Sequence, residues 1–378
     1  MKTQGSPSRR KFIAAVSASS FGLWAANVLP AFGKIMDEPD LRMMGVEING
    51  IMYGAKADKQ GFIGCAHYTD PIIKGDFVVG SLDALLDALA KAKAGEVIFI
   101  PSGTIIDLTA FVYIEKLALE VPEGVTLAGD RGHKGAEGAL LTSDALDTPV
   151  MIKARGPNVR ISGLRIQGPN PKRYLEHHRR AFGPDGKGSG YYYKFPTSNG
   201  IVTEHSGLEV DNCEISAFGH AGISLRKGEG HHIHHNFIHQ CQYNGLGYGI
   251  SHDIAYSIIE YNFFNENRHS IAGTGRPGCG YVARHNVELG VSLSHCFDMH
   301  GGRDRKDGTD VAGTSIEIYN NTFWAPQSSV VIRGVPQKHC EVHHNWFPKH
   351  HNAKQAVRAA DRTTVKDNVY GENPAIVA

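Results

Sequence analysis

The 378-residue chain is poor in tryptophan (3) and methionine (7), and its formal charge is only +1. Such neutrality gives no support to a nucleic-acid or membrane-surface binder. Its six cysteines, at 65, 213, 241, 279, 296 and 340, include no CxxC pair. They are expected to be small buried side chains rather than a disulfide framework or a zinc site. The 44 glycines follow no G-X-Y period, which excludes collagen. With 41% apolar and 20% charged residues, wholesale disorder is excluded too. Histidine is the exception: its 21 copies outnumber methionine and tryptophan together.

No apolar run is long enough for a confident membrane span. The stretch from Ile13 to about Leu29 follows Ser8-Arg9-Arg10-Lys11-Phe12-Ile13, which resembles a twin-arginine export signal, with small residues for cleavage near Ala31 and Gly33. Residues 1–33 are therefore expected to be removed, leaving 34–378 as the mature chain with no membrane span. The resemblance implies the twin-arginine export machinery as a partner and a periplasmic or secreted location. The segment carries four basic and no acidic residues, so 39 minus 38 becomes 35 minus 38, or −3.

Beyond it the chain repeats itself. One motif recurs from Ile161-Ser-Gly-Leu-Arg-Ile through Ile233-His-His-Asn-Phe-Ile and Ala283-Arg-His-Asn-Val-Glu to Val365-Lys-Asp-Asn-Val-Tyr. The eight copies stand 49, 23, 26, 24, 35, 24 and 23 residues apart, so the two long intervals hold insertions. Between them a second strand recurs, as in Ala221-Gly-Ile-Ser-Leu-Arg and Tyr248-Gly-Ile-Ser-His-Asp. Asparagine in each turn suits a left-handed corner. Short strands at a period in the low twenties predict an all-β, right-handed parallel β-helix. A helix capped by Ser81, running from Leu82 through Lys93 and stopped by Gly95, is expected to close the N-terminal end.

That helix, followed by Glu96-Val-Ile-Phe-Ile-Pro-Ser-Gly, resembles the opening of the pectate-lyase-like superfamily of carbohydrate-active β-helices. Tyr248-Gly-Ile-Ser-His-Asp and His269 are similar to mannuronan C5-epimerases and related polysaccharide lyases, whose Tyr-Gly-x-Asp-Pro-His motif supplies a tyrosine and a histidine as acid and base. Here Ser251 stands where Asp-Pro would be. The resemblance implies an anionic polysaccharide as substrate.

Stacked coils lie about 4.8 Å apart, so equivalent residues form columns. Aligning the second strand on Ile201, Ile223, Ile250, Ile271, Phe297 and Val330 puts Tyr248, His269 and His295 in one outward line. Beside them fall Asp298, His300, Asp253, Arg226 and Arg333, while His252 is expected to point inward. Arg268 adjoins His269 with an open role. The paired histidines at 231–232, 234–235, 343–344 and 350–351 are expected to be corner or outer-face residues. Two insertions flank the site: a basic, aromatic one over 170–198, and Gly301 to Gly308.

These groups suit β-elimination from a uronate polymer. Tyr248, His269, His295 and His300 offer proton transfer, Arg226, Arg333 or His300 neutralises the carboxylate, and Asp253 or Asp298 orients a histidine. The two scattered aspartates form no carboxylate cluster, so no metal cofactor is expected. C5 epimerisation uses the same intermediate. Hydrolysis needs a carboxyl pair about 5–9.5 Å apart, and a non-catalytic glycan-binding β-helix is the remaining alternative.

Overall fold

The computed structural model describes residues 44–60, 68–169, 175–243 and 245–374, the side chains of 175, 176 and 178 apart. The export signal, Cys65 and Lys172-Arg173-Tyr174 lie outside the described residues. Short β-branched strands stack in register on their copies in the next coil. An eighteen-stranded sheet wraps two faces and a ten-stranded sheet makes the third. Every pairing in these two sheets is parallel, as in Ile166 beside Ile215 and Ile215 beside Ile238.

The sequence period thus becomes a parallel β-helix. Its core is a continuous column of buried aliphatic side chains from Val79 to Val357. Helix α1 (Leu82–Lys91) closes the N-terminal end, with Ser81 Oγ accepting from Ala84 N and Leu85, Ala88 and Leu89 buried. It stops at Lys91, before Gly95, where Ala92 turns extended. The five described cysteines are free and buried.

The corners differ from the sequence reading. The left-handed residue is the one before each repeat asparagine: His235, Tyr261, His285, Asn320, His344 and Asp367, with φ between 49° and 55°. The asparagines point inward as a ladder. Asn236, Asn262, Asn286, Asn321 and Asn345 each donate Nδ2 to the Oδ1 of the next, at 2.9–3.1 Å, ending on Asn368. Asn286 Nδ2 also donates to Ile259 O and Arg284 O, while its Oδ1 accepts from the backbone and side chain of Asn262. Asn286→Ala leaves the buried Asn262 backbone N–H without its acceptor, while Asn262 Nδ2 keeps Ile233 O and Glu260 O. It should cost about 3 kcal/mol, measured as a lowered denaturant midpoint; an unchanged midpoint would show the ladder is idle.

Many of the paired histidines do sit at this corner, but they are packed rather than solvated. Rings of His235, Tyr261 and His285 stack at 5.0–5.1 Å, and Tyr68 meets His235 at 5.4 Å, tilted by 60°. The N-terminal segment lies along the same corner: Tyr53 stacks on His344, Asp58 pairs with His235, and Tyr68 Oη donates to Asp211.

Candidate active site

The site face is built from six strands: β1 (Asn199–Thr203), β2 (Ala221–His234), β3 (Tyr248–Glu260), β4 (His269–Gly273), β5 (Phe297–Met299) and β6 (Val330–Ile332). Their register is the expected one: Ala221 beside Tyr248, Tyr248 beside His269, Ile271 beside Phe297, and Asp298 beside Val331. Strict alternation would turn Tyr248, His269 and His295 inward with the isoleucine column. Instead two successive residues, Cys296 and Phe297, face the core, and the residue before them is released outward. Tyr248 accordingly packs with Ala221, Ala272 and Leu246, apart from the main core.

The three rings form one stack. Tyr248 lies 5.8 Å from His269 at 13°, and His269 lies 4.0 Å from His295. His269 is fully shielded and its Nδ1 is 2.6 Å from the His295 carbonyl. A carbonyl only accepts, so Nδ1 carries the proton and Nε2 is a bare acceptor, buried without a partner. Burial holds its pKa well below the ordinary value, against the pull of Asp298.

Asp298 organises the rest. Its carboxylate is wholly buried, yet it receives Nε of Arg333 at 3.0 Å, Nη2 of Arg333 at 2.6 Å and Nε2 of His295 at 2.9 Å. His300 Nε2 reaches 2.9 Å from the second oxygen as an ion-pair contact, off the hydrogen-bond line. Burial alone would raise this carboxyl. The histidine contacts and neighbouring positive charge outweigh it and hold the pKa well below the usual range. Arg333 also reaches Asp304 in the second insertion. The His300 ring faces Tyr248 at 6.5 Å, edge to face. Burial, eased by Arg268, raises the Tyr248 phenol, so it stays protonated.

The other expected residues separate. Arg268 donates to Leu246 O, and its charge acts on Tyr248, His269 and His295. Asp253 bonds Thr274 and pairs with Arg276, and Arg226 pairs with exposed Glu204. His252 points inward as expected, held by Ala272 O and Ser257, and burial takes its pKa down to about 4.

His220 was missed by the column reading. Its Nδ1 lies 2.8 Å from Asn199 Oδ1, its ring meets Tyr248 at 5.8 Å, and burial lowers it to about 4. The signal was available, because His220 precedes β2 as Arg268 precedes β4. The first insertion also closes on the site. Tyr192 stacks on Tyr243 at 5.1 Å, and Leu246 joins that cluster to Tyr248.

Two groups among the described residues bring three metal-capable atoms together: His269, His295 and Asp298, and Glu209, Asp211 and His234. Both fit a cation poorly. Asp298 and Asp211 are each already forked by an arginine, Arg333 and Arg160, whose charge would repel it.

No family model matches this chain, and no curated protein matches it. Solved structures do. An alginate lyase from Paenibacillus sp. str. FPU-7 aligns over 78% of this chain and 97% of its own at 12% identity and a TM-score of 0.38. The family 28 exopolygalacturonase of Yersinia enterocolitica aligns over 76% and 62%, at 13% and 0.45. The pectin methylesterase of Aspergillus niger aligns over 84% and 87%, at 13% and 0.41. These likenesses stay at the level of the fold, and in fold the chain is a parallel β-helix.

Proposed function

We propose that the protein is a polysaccharide lyase that cleaves a uronate-containing chain by β-elimination. The observation that carries this reading is Asp298, a buried carboxylate that holds His295, His300 and Arg333 together beside a protonated Tyr248. Arg333 uses three of its N–H groups on Asp298 and Asp304, and the other two remain for a substrate carboxylate. Neutralising that carboxylate makes the C5 proton acidic enough to remove.

His300, steadied by Asp298, takes the C5 proton. The C5–H electrons form the C4–C5 double bond, the C4–O4 bond breaks, and Tyr248 protonates the departing O4. A ring separation of 6.5 Å suits an acid and a base flanking one linkage. His269 is shielded from solvent, so it acts by holding Tyr248 and His295 in the stack. Asp298 stabilises the histidinium that forms.

Hydrolysis is poorly served. Asp298 is buried and ionised against Arg333, while Asp253 is occupied by Arg276, so neither is free to serve in an acid and base carboxyl pair. Arg9-Arg10 and the apolar stretch behind it support twin-arginine export to the periplasm or beyond. No helix among the described residues is long and apolar enough to cross a membrane.

The test is incubation with a panel of uronate polymers, following the ultraviolet absorbance of an unsaturated uronate. Shorter chains without that absorbance would overturn elimination, and inverted C5 at unchanged length would make the protein an epimerase. Tyr248→Phe removes a hydroxyl with no hydrogen bond among the described residues. It should lower kcat about 10²-fold or more with the fold intact; full activity would remove Tyr248 from the site.

A further inference from the structure

Beside the proton-transfer groups, on the side of the C-terminal coils, lies a cleft of about 470 Å³ that His295 and Arg333 share with Arg303, Asp310, Arg358 and Ala360. Toward the N-terminal coils the half-buried His220 ring contacts Asn199, and Leu246 packs on Tyr248 and joins it to Tyr192 and Tyr243.

The cleft has an ordered cationic wall. Val331 pairs with Asp298 on one side and with Arg358 on the other, so Arg358 stands two coils beyond Asp298 in the same column. At about 4.8 Å per coil, that is about 10 Å along the axis. Arg303 approaches from the short helix Gly302–Arg305 of the second insertion. Arg305 anchors this insertion through Thr274 O and Val311 O, so Arg303 is presented by a fixed loop. Arg303 and Arg358 are both exposed and make no ion pair among the described residues. Arginines normally gain from a carboxylate partner, and two unpaired ones sharing a cleft with a catalytic cluster suit an anionic ligand. Small residues, Gly334, Ala359 and Ala360, leave space for it.

We infer that Arg303 and Arg358 form a binding subsite for a second uronate of the substrate, and that the chain lies along the solenoid axis with its reacting linkage at Tyr248. In a 1,4-linked chain alternate units face opposite sides, so carboxylates on one side recur every second residue. That repeat matches the two-coil step from Asp298, where the Arg333 guanidinium is held, to Arg358. This inference rests on the lyase reading for its reaction, though not for its binding.

The experiment is calorimetric titration of oligomannuronates and oligogalacturonates of two, four and six residues into Tyr248→Phe protein, with and without Arg303→Ala and Arg358→Ala. Affinity should rise from dimer to tetramer, and the arginine substitutions should together remove about tenfold or more of it. Arg358→Lys should restore part. In the wild-type enzyme the arginine losses should fall on KM. Equal affinity of all lengths for both backgrounds overturns the subsite. Arginine-dependent binding without any cleavage upholds the subsite while removing the lyase reading. Cleavage indifferent to both arginines does the reverse.

Discussion

Asp298→Asn should lower kcat by about 10³-fold or more and destabilise the fold by about 3 kcal/mol. The side chain keeps its shape but loses the charge that three partners share. Arg333 would retain only Asp304, and an amide nitrogen would meet N–H donors of Arg333, His295 or His300. Leaving the half-buried Arg333 charge with the Asp304 carboxylate alone is the larger cost. The histidines would also lose the acceptor that selects their tautomer, which is why activity should fall further than stability.

The sign with pH follows from the depressed pKa. Asp298 is lowered on folding, so its stabilisation is complete above the ordinary aspartate range, near pH 4, and is lost as pH falls below it. The variant should therefore lack that acid limb. Steady-state kinetics and denaturant melts across pH 3–7 would show it. A kcat within tenfold of the parent would end the case for Asp298 as the hub.

Glu288→Gln should do the opposite and stabilise the protein at neutral pH. Glu288 is completely buried, and the Ser270 hydroxyl beside it offsets that burial only in part. Burial pushes its pKa up to about 8 from 4.5. Between those values the unfolded chain gives up a proton that the folded one keeps, so stability declines by about 1.4 kcal/mol per pH unit. By pH 7 the penalty is roughly 3 kcal/mol, and above about pH 8 it stops growing. Glutamine has nearly the same volume and no charge to ionise. The two proteins should melt alike at pH 4.5 and diverge steadily toward pH 8. Parallel curves across that range would mean that Glu288 is ionised in the fold.

Much of this architecture is legible in the chain because a solenoid coil contacts its neighbours only 23 to 26 residues away. Aligning Ile250 with Ile271 and Phe297 therefore yields the register of Tyr248, His269 and His295 directly. The inward turn of His252 follows from the same spacing. His220 escaped because it precedes its strand, where no alternation rule assigns a side. The corner was misread because the asparagine that recurs most visibly serves the buried ladder, while its variable neighbour takes the left-handed conformation.

The sequence by itself determined the repeat, the stacking order and the ring column, since each depends on contacts between adjacent coils. Only the tertiary structure decided which charges meet. Arg333 reaches Asp298 across the second insertion, Asp58 reaches His235 over 177 positions, and Asp253 and Arg226 take partners of their own. Those pairings depend on where long side chains and distant segments settle once the coils are built, and a period along the chain carries no information about that distance.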